Sequence, residues 1–274
     1  MSGPGRFSSF GAGWLLAIVL VLVLLGPLLS PYSPTRFDAT VVLQPPSWVH
    51  WFGTDEFGRD VLSRLLHGAR PTLVVALFGA AIGVGLGTVT GIVAGYFGGW
   101  VDEVLMRMMD VLMSYPGLIL AMLLIVVLGP APPNVVAALV VVFWPRSTRL
   151  CRAVAMEVSR REFIDAARVR GERHLYIMLF EVLPNLRDVV AIDLSLRITS
   201  GILMTASLAY LGMGNVPPSP AWGLMIRDGQ QFVQLAPWLV LFPCLAVALA
   251  AVAATWFTTR LSKRRAASLV EMLN

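Results

Sequence analysis

The side chains that do chemistry in enzymes are few in this chain and poorly placed for it. A phosphate-cradling loop of the G-x-x-x-x-G-K-[ST] type needs a lysine directly after glycine, and the single lysine, Lys263, follows Ser262. Neither H-E-x-x-H nor G-x-S-x-G occurs, and His50, His67 and His174 fall outside the apolar stretches. Metal-assisted and nucleophilic catalysis are therefore not expected: the chain reads as no enzyme, without a catalytic, metal or cofactor set of its own. Cys151 lies in a basic loop and Cys244 in an apolar run, so they would sit at different depths and are not expected to pair.

Spacing is informative elsewhere, in the basic stretch 146–188. Ser159 and Glu162 stand as S-x-x-E, a capping box in which hydroxyl and carboxylate satisfy free N–H groups at a helix start. Gly171 then supplies a left-handed stop. This predicts a short helix over 160–170, offering Phe163, Ala166, Ala167 and Arg170 as contacts, with the alanines permitting close approach. A second short helix is expected over 174–182, ended by Pro184. Such an elbow is more structure than a connector needs, and it would either dock on a protein or lie on anionic lipid.

The elements that must position this elbow follow from composition. Apolar residues make up 57% of the 274 positions and charged residues 14%, against about 45–50% and about 25% in soluble domains. No Asp, Glu, Lys or Arg occurs in 7–35, 71–101, 111–145, 198–226 or 229–259. Each run exceeds the roughly 20 residues that cross a bilayer core as a helix. Stretches such as 15–25 are apolar all round, unlike the alternating strands of a barrel. The class is all-α and polytopic. Gly129, Pro130, Pro132 and Pro133 divide the third run into a span near 104–128 and another starting at Asn134, which must continue to about Cys151. Pro217, Pro218 and Pro220 close a fifth span starting near Val189. The count is six transmembrane helices, the first retained rather than cleaved as a signal.

Orientation follows from basic residues in the connections. Nine arginines lie in 146–188, and Arg260, Lys263, Arg264 and Arg265 lie in the tail, so both are expected in the cytoplasm, and six spans place the N-terminus there too. The formal charge of +5 is explained by these loops, and no nucleic acid is expected as a partner. The external loop 30–70 runs against the rule, carrying Arg36, Arg59, Arg64 and Arg70 beside Asp38, Asp55, Glu56 and Asp60. The expected division is 1–70 (N-terminus, first span, external loop), 71–260 (transmembrane core with the loop 146–188) and 261–274 (tail).

Gly79, Gly83, Gly87, Gly91 and Gly95 recur at strict four-residue spacing. In lipid such a ridge works by letting backbones approach, so this face should be buried in helix packing within the chain, at a subunit seam or along a moving pathway. Glu103 with Arg107, and Asp193 with Arg197, stand in the acid-first order of local ion pairs. No ionisable group is expected in the central parts of the spans, which disfavours an ion-coupled carrier or channel acting without ATPases.

Asp165-Ala166-Ala167, three residues, Gly171, nine residues and Glu181-Val182-Leu183-Pro184 resemble the EAA loop of membrane subunits of binding-protein-dependent ABC importers, with Asp165 in place of the usual Glu. Residues 53–64 (GTDEFGRDVLSR), Gly68-Ala69-Arg70, residues 94–103 (AGYFGGWVDE) and Ser219-Pro220-Ala221-Trp222-Gly223 resemble the C-type permease of the dipeptide/oligopeptide/nickel branch. The resemblance covers residues 10–260. It implies a type I importer fold in the bacterial inner membrane, with an alternating-access path shared with a second homologous permease subunit. It also implies two cytoplasmic ATPases carrying ATP and Mg, and an extracytoplasmic solute-binding protein. Glu162, Phe163, Asp165, Ala166, Ala167, Arg170 and Gly171 would couple to an ATPase, on a loop shaped by Ser159, Leu183 and Pro184. Asp55, Gly58, Arg59, Asp60, Trp222 and Gly223 would meet the binding protein, shape the outer gate, or simply pack the loops. Cargo in this branch ranges over dipeptides, longer peptides, nickel chelates and glutathione.

Overall fold

The computed structural model describes residues 26–214 and 216–273. Among them the chain is helical, with one isolated antiparallel bridge between Thr54 and Asp60. Helices satisfy their own backbone groups, as a hydrocarbon environment requires. In chain order they are α1 (Val61–Phe97), α2 (Gly99–Met113), α3 (Gly117–Leu128), α4 (Pro132–Val158), α5 (Glu162–Val169), α6 (His174–Tyr210), α7 (Trp222–Gln230) and α8 (Trp238–Leu273).

The sequence sets several of these ends. Asp60 starts α1 by accepting from the Ser63 N–H at 2.8 Å and the Ser63 hydroxyl at 2.7 Å. Gly98, at φ +64°, stops it. α1, α6 and the stretch Trp238–Trp256 of α8 are each long and apolar enough to cross a membrane. α2 and α3 qualify only together, bent by 85°.

That bend breaks the stretch expected as one straight span over 104–128 into two helices. Pro116 has no N–H to continue a helix and disfavours the helical conformation at Tyr115, so the chain turns at Ser114–Pro116. α4 is also longer than expected, running from Pro132 through Arg146, Arg149 and Arg152 to Val158. Those arginines keep it out of the apolar set although its 27 residues would suffice in length. The expected second elbow helix and the fifth span from Val189 are one continuous helix, α6. Pro184 does not end it: a π-helical turn, Ile177–Val182, loosens the ladder just before Pro184 enters the first turn of the α-helical part. The expected first span falls largely outside the described residues, so three of the six expected crossings stand by composition, or four with the bent pair.

The glycine ridge settles how α1 and α4 pack. A Cβ on Gly79 would fall 2.7 Å from Leu139, on Gly83 3.0 Å from Phe143, on Gly91 2.7 Å from Cys151 and on Gly95 2.8 Å from Ala155, while Gly87 faces Ser147. Both partners advance by four residues at each step, so the helices run parallel with one face of α4 lying in the glycine groove. Thr90 and Thr148 add a hydroxyl–hydroxyl bond of 2.7 Å across the seam. The ridge is therefore spent on packing inside this chain.

Three clusters of buried side chains stack along α1. Val61, Ala69 and Ala76 meet Trp222, Leu239 and Val247 at one end. Ala80 meets Ile125, Leu139 and Phe143 in the middle. Ile92 and Tyr96 meet Cys151, Ile164, Ala167, Ile177 and Val182 at the other. The last cluster seats the elbow.

Candidate functional site, the elbow between α4 and α6

The elbow begins where α4 ends, and not as the capping box predicts. Ser159 is in helical conformation (φ −67°, ψ −11°) with its N–H bonded to the Ala155 and Glu157 carbonyls, so it finishes α4. Its hydroxyl is buried and has no hydrogen-bond partner among the described residues. An N-cap needs extended backbone, and that conformation falls on Arg161 instead (φ −81°, ψ 146°). Glu162 and Asp165 then occupy the first turn of α5, where acidic groups complement the helix dipole.

The end of α5 matches expectation. Gly171, at φ +79°, donates to the Arg168 carbonyl at 3.0 Å, and Glu172 donates to the Ala167 carbonyl at 3.2 Å. These two bonds make a Schellman stop. Arg170 reaches across it, 2.8 Å from Glu172 and 3.8 Å from Glu181, which ties α5 to the π turn of α6.

The two faces of α5 divide cleanly. Ile164 and Ala167 are fully buried against Ile177, Val182 and Leu186 of α6 and against the ends of α1 and α4. Ala167 is thus corrected from a docking contact to an internal one: with Ile164 it is fully buried, on the flank of α5 next to the one that carries Phe163, Ala166 and Arg170. Those three, with Glu162, Asp165 and Gly171, are exposed. Leu183 is half-buried and Pro184 exposed. The exposed face also carries Val169, 89% accessible at the tip of the elbow, and Leu175, Tyr176 and Phe180 beside it. Sequence reasoning missed Val169, although it completes the stripe of Glu162, Phe163 and Ala166 at helical spacing.

The far end of α1 braces the elbow. The Tyr96 hydroxyl and His174 Nδ1 are 2.9 Å apart, and the Arg168 guanidinium lies over the Tyr96 ring at 5.2 Å. Phe97 packs on the His174 ring at 5.6 Å.

At the opposite end, the charged motif after Gly53 forms a buried turn rather than a contact surface. Asp55 Oδ2 accepts from Arg59 Nε at 2.7 Å and from Arg64 Nη1 at 2.5 Å, while its Oδ1 accepts from the Phe57 and Arg59 N–H groups at 2.9 Å. Asp60 caps α1 and pairs with His50 at 2.9 Å. Gly58, at φ +68°, lies against the Asp38 backbone. Burial, and then the charge on Asp55, push the Glu56 carboxyl above its ordinary range. Arg59 and Arg64 are both paired within the loop. Trp222, 4% accessible, donates its indole N–H to the Leu65 carbonyl at 2.9 Å. Gly223 is pressed against α6, where a Cβ would fall 2.9 Å from Ala209. Asp55, Gly58, Arg59, Asp60, Trp222 and Gly223 are all buried in contacts within this chain. The most accessible large apolar side chains of this loop include Trp48, 97%, and Trp51, 66%.

Between the two ends, Asp193 of α6 is fully buried. It accepts from Arg197 at 3.0 Å on one oxygen and from the Ser147 hydroxyl on the other. This pair has the predicted spacing but lies deeper in its helix than expected, because α6 starts before Val189. No ion pair joins Glu103 and Arg107 among the described residues. On the same helix Asp102 pairs with Arg152 and Asp110 with Arg149, both on α4.

Residues 87–267, which include the elbow with α4 and α6 on either side of it, match the family model described as binding-protein-dependent transport system inner membrane component. The chain belongs to that family. It is similar to the dipeptide transport system permease protein of Alkalihalophilus pseudofirmus, 36% identical over 84% of this chain and 76% of that one. It is also similar to the glutathione transport system permease protein of Pectobacterium atrosepticum, 34% identical over 88% and 81%. A third relative is the probable D,D-dipeptide transport system permease protein of Escherichia coli, 36% identical over 87% and 80%.

As an inner membrane component of an ATP-driven importer, this permease is no enzyme, and it works with ATPase and binding-protein partners. The geometry agrees with a mechanical role. Asp193 has both oxygens engaged by its own chain, and the elbow presents exposed apolar side chains, Val169 among them.

Proposed function

We propose that this chain is one half of an alternating-access pathway, completed by a second homologous permease subunit, and that its elbow seats in a groove of a cytoplasmic ATPase. The elbow, with both termini, lies in the cytoplasm; a solute-binding protein delivers cargo to the other side. Two ATPases carrying ATP and Mg close on each other and move the docked elbows as rigid bodies, rocking the spans between inward- and outward-facing arrangements. The cargo is a peptide or a related small solute such as glutathione, a reading supported by the names of the relatives. The oligopeptides and nickel chelates of the resembled branch belong to the same proposal.

One observation carries this reading: α5 is anchored through Ile164 and Ala167 to the ends of α1, α4 and α6, while its opposite face presents Phe163, Ala166 and Val169 outward. A surface element clamped to three long helices transmits a push; a loose one would absorb it. Reconstitution tests the proposal. Proteoliposomes holding this chain alone should take up no solute. Uptake should appear only when the second permease, both ATPases, ATP and the loaded binding protein are present. Robust uptake by the lone chain would instead favour an ion-coupled carrier.

A further inference from the structure

α2 is used neither by the elbow nor by the outer loop, and it faces three environments at once. Leu105 and Met109 point into the protein, Met109 fully buried. Trp100, Val104, Met108 and Val111 form an apolar stripe left open to the outside, with Trp100 76% accessible. Glu103, Arg107 and Asp110 form a separate, exposed polar sector beside it.

The helix does not run with the bundle. It makes 85° with α3, which packs on α4, itself parallel to the apolar α1. Asp102 and Asp110 are about 12 Å apart along α2 but pair with Arg152 and Arg149, about 4.5 Å apart along α4. Two helices tied in this way cross each other. α2 starts two residues after Phe97, which packs on His174, so its first turn lies at the elbow end of the molecule.

We propose that α2 is an interfacial helix, embedded in the membrane plane in the leaflet on the elbow side. Trp100, Val104, Met108 and Val111 occupy the headgroup–acyl boundary, and Arg107 meets lipid phosphate. The observations favour lipid over a protein partner. A helix lying across spanning helices at their end runs along the bilayer surface, and an apolar stripe bordered by charge is the pattern such a helix needs. Tryptophan at its first turn is the residue enriched at that depth. Arg107 has no charged partner among the described residues, and the acid neighbours Asp102 and Asp110 are already neutralised by α4. The consequence is mechanical: the two ion pairs fasten a lipid-seated bar to α4 within ten residues of the elbow, giving the moving elbow a fulcrum in the leaflet.

Nitroxide labelling of the assembled importer tests this, in nanodiscs of phosphatidylethanolamine and phosphatidylglycerol, with exposed Cys244 first replaced by serine. Single labels at Val104→Cys, Met108→Cys and Val111→Cys should collide several-fold more with oxygen than with a water-soluble nickel chelate. Labels at Glu103→Cys and Arg107→Cys should show the reverse order. Val104 and Met108 labels open to the chelate would overturn the proposal, because the stripe would then face water. Labels shielded from both reagents would overturn it equally, because the stripe would then be covered by another subunit. Neither result would touch the docking of the elbow, which is read by uptake.

Discussion

The Tyr96 hydroxyl, one residue from the end of α1, bonds to His174 Nδ1 at the start of α6 at 2.9 Å. With the Phe97–His174 ring contact and the packing of Ile92 and Tyr96 on Ile177 and Val182, this bond joins the helix that carries the glycine ridge to the segment that leaves the elbow. Movement of α5 is thereby passed to α1 as well as to α4 and α6, its covalent neighbours.

Tyr96→Phe removes that hydrogen bond and keeps the ring beneath Arg168. A net loss of about 1 kcal/mol is expected, which shifts a seated-to-unseated equilibrium of the elbow by about fivefold. The assembled variant should hydrolyse ATP yet move less solute per ATP than the parent. An unchanged transport-to-hydrolysis ratio would remove Tyr96 from the coupling route.

Gly91→Leu should break the α1–α4 seam, since even a Cβ would fall 2.7 Å from Cys151 Cβ and from the Thr148 carbonyl. Overpacking of this kind costs about 1–3 kcal/mol or more. Gly85→Leu is the matched control, because nothing lies within 4 Å of its Cβ position. Heating in detergent followed by size-exclusion chromatography should show early loss of the monodisperse peak for the first and parent-like behaviour for the second.

Asp55→Asn leaves Arg64 buried beside a neutral amide and Arg59 with Glu56, 3.1 Å away, as its remaining acid. Removing one partner of a buried ion pair costs about 3–5 kcal/mol. The outer turn should loosen, visible as faster hydrogen exchange over 53–64, while exchange in the elbow stays at the parent rate.

Glu56 gives a pH test. Its folded pKa is raised above the ordinary 4.5, so its favourable contribution is present below that value and lost as pH rises through the folded pKa. Glu56→Gln should therefore raise the melting temperature of the complex at neutral pH. The gain should shrink to nothing below about pH 4.5, where the parent carboxyl is protonated in both states.

Much of the fold was legible because lipid imposes simple demands. Charges thin out along the spans, glycines at four-residue spacing mark a face that needs close approach, and Gly171 stops α5 in a left-handed conformation. The expectation of no ionisable group in the central part of a span fails in α6, where Asp193 and Arg197 pair near its middle. The misreadings have specific causes. The capping box at Ser159 failed because that serine's N–H already completes α4, a fact fixed by how far α4 runs rather than by local spacing. Ala166 and Ala167 are adjacent in sequence and so point to different sides of a helix; periodicity places Val169, not Ala167, with Ala166. Asp55 and Arg59 stand in ion-pair spacing, which was a signal that the outer motif closes on itself. The bend between α2 and α3 was announced by Pro116, inside a run whose lack of charge suggested one span. The pairing of Asp102 with Arg152 had no local signal, since the residues lie 50 apart in the chain.

The central claim is that the elbow receives force from an ATPase, and a crosslink at Val169 tests it most directly. In the assembled importer, with Cys244 replaced by serine, Val169→Cys carrying a short bifunctional reagent should join this chain to the ATPase subunit, and Trp48→Cys should not. Crosslinking at Val169 only to lipid-borne reagent, or to nothing under any nucleotide condition, would contradict the account.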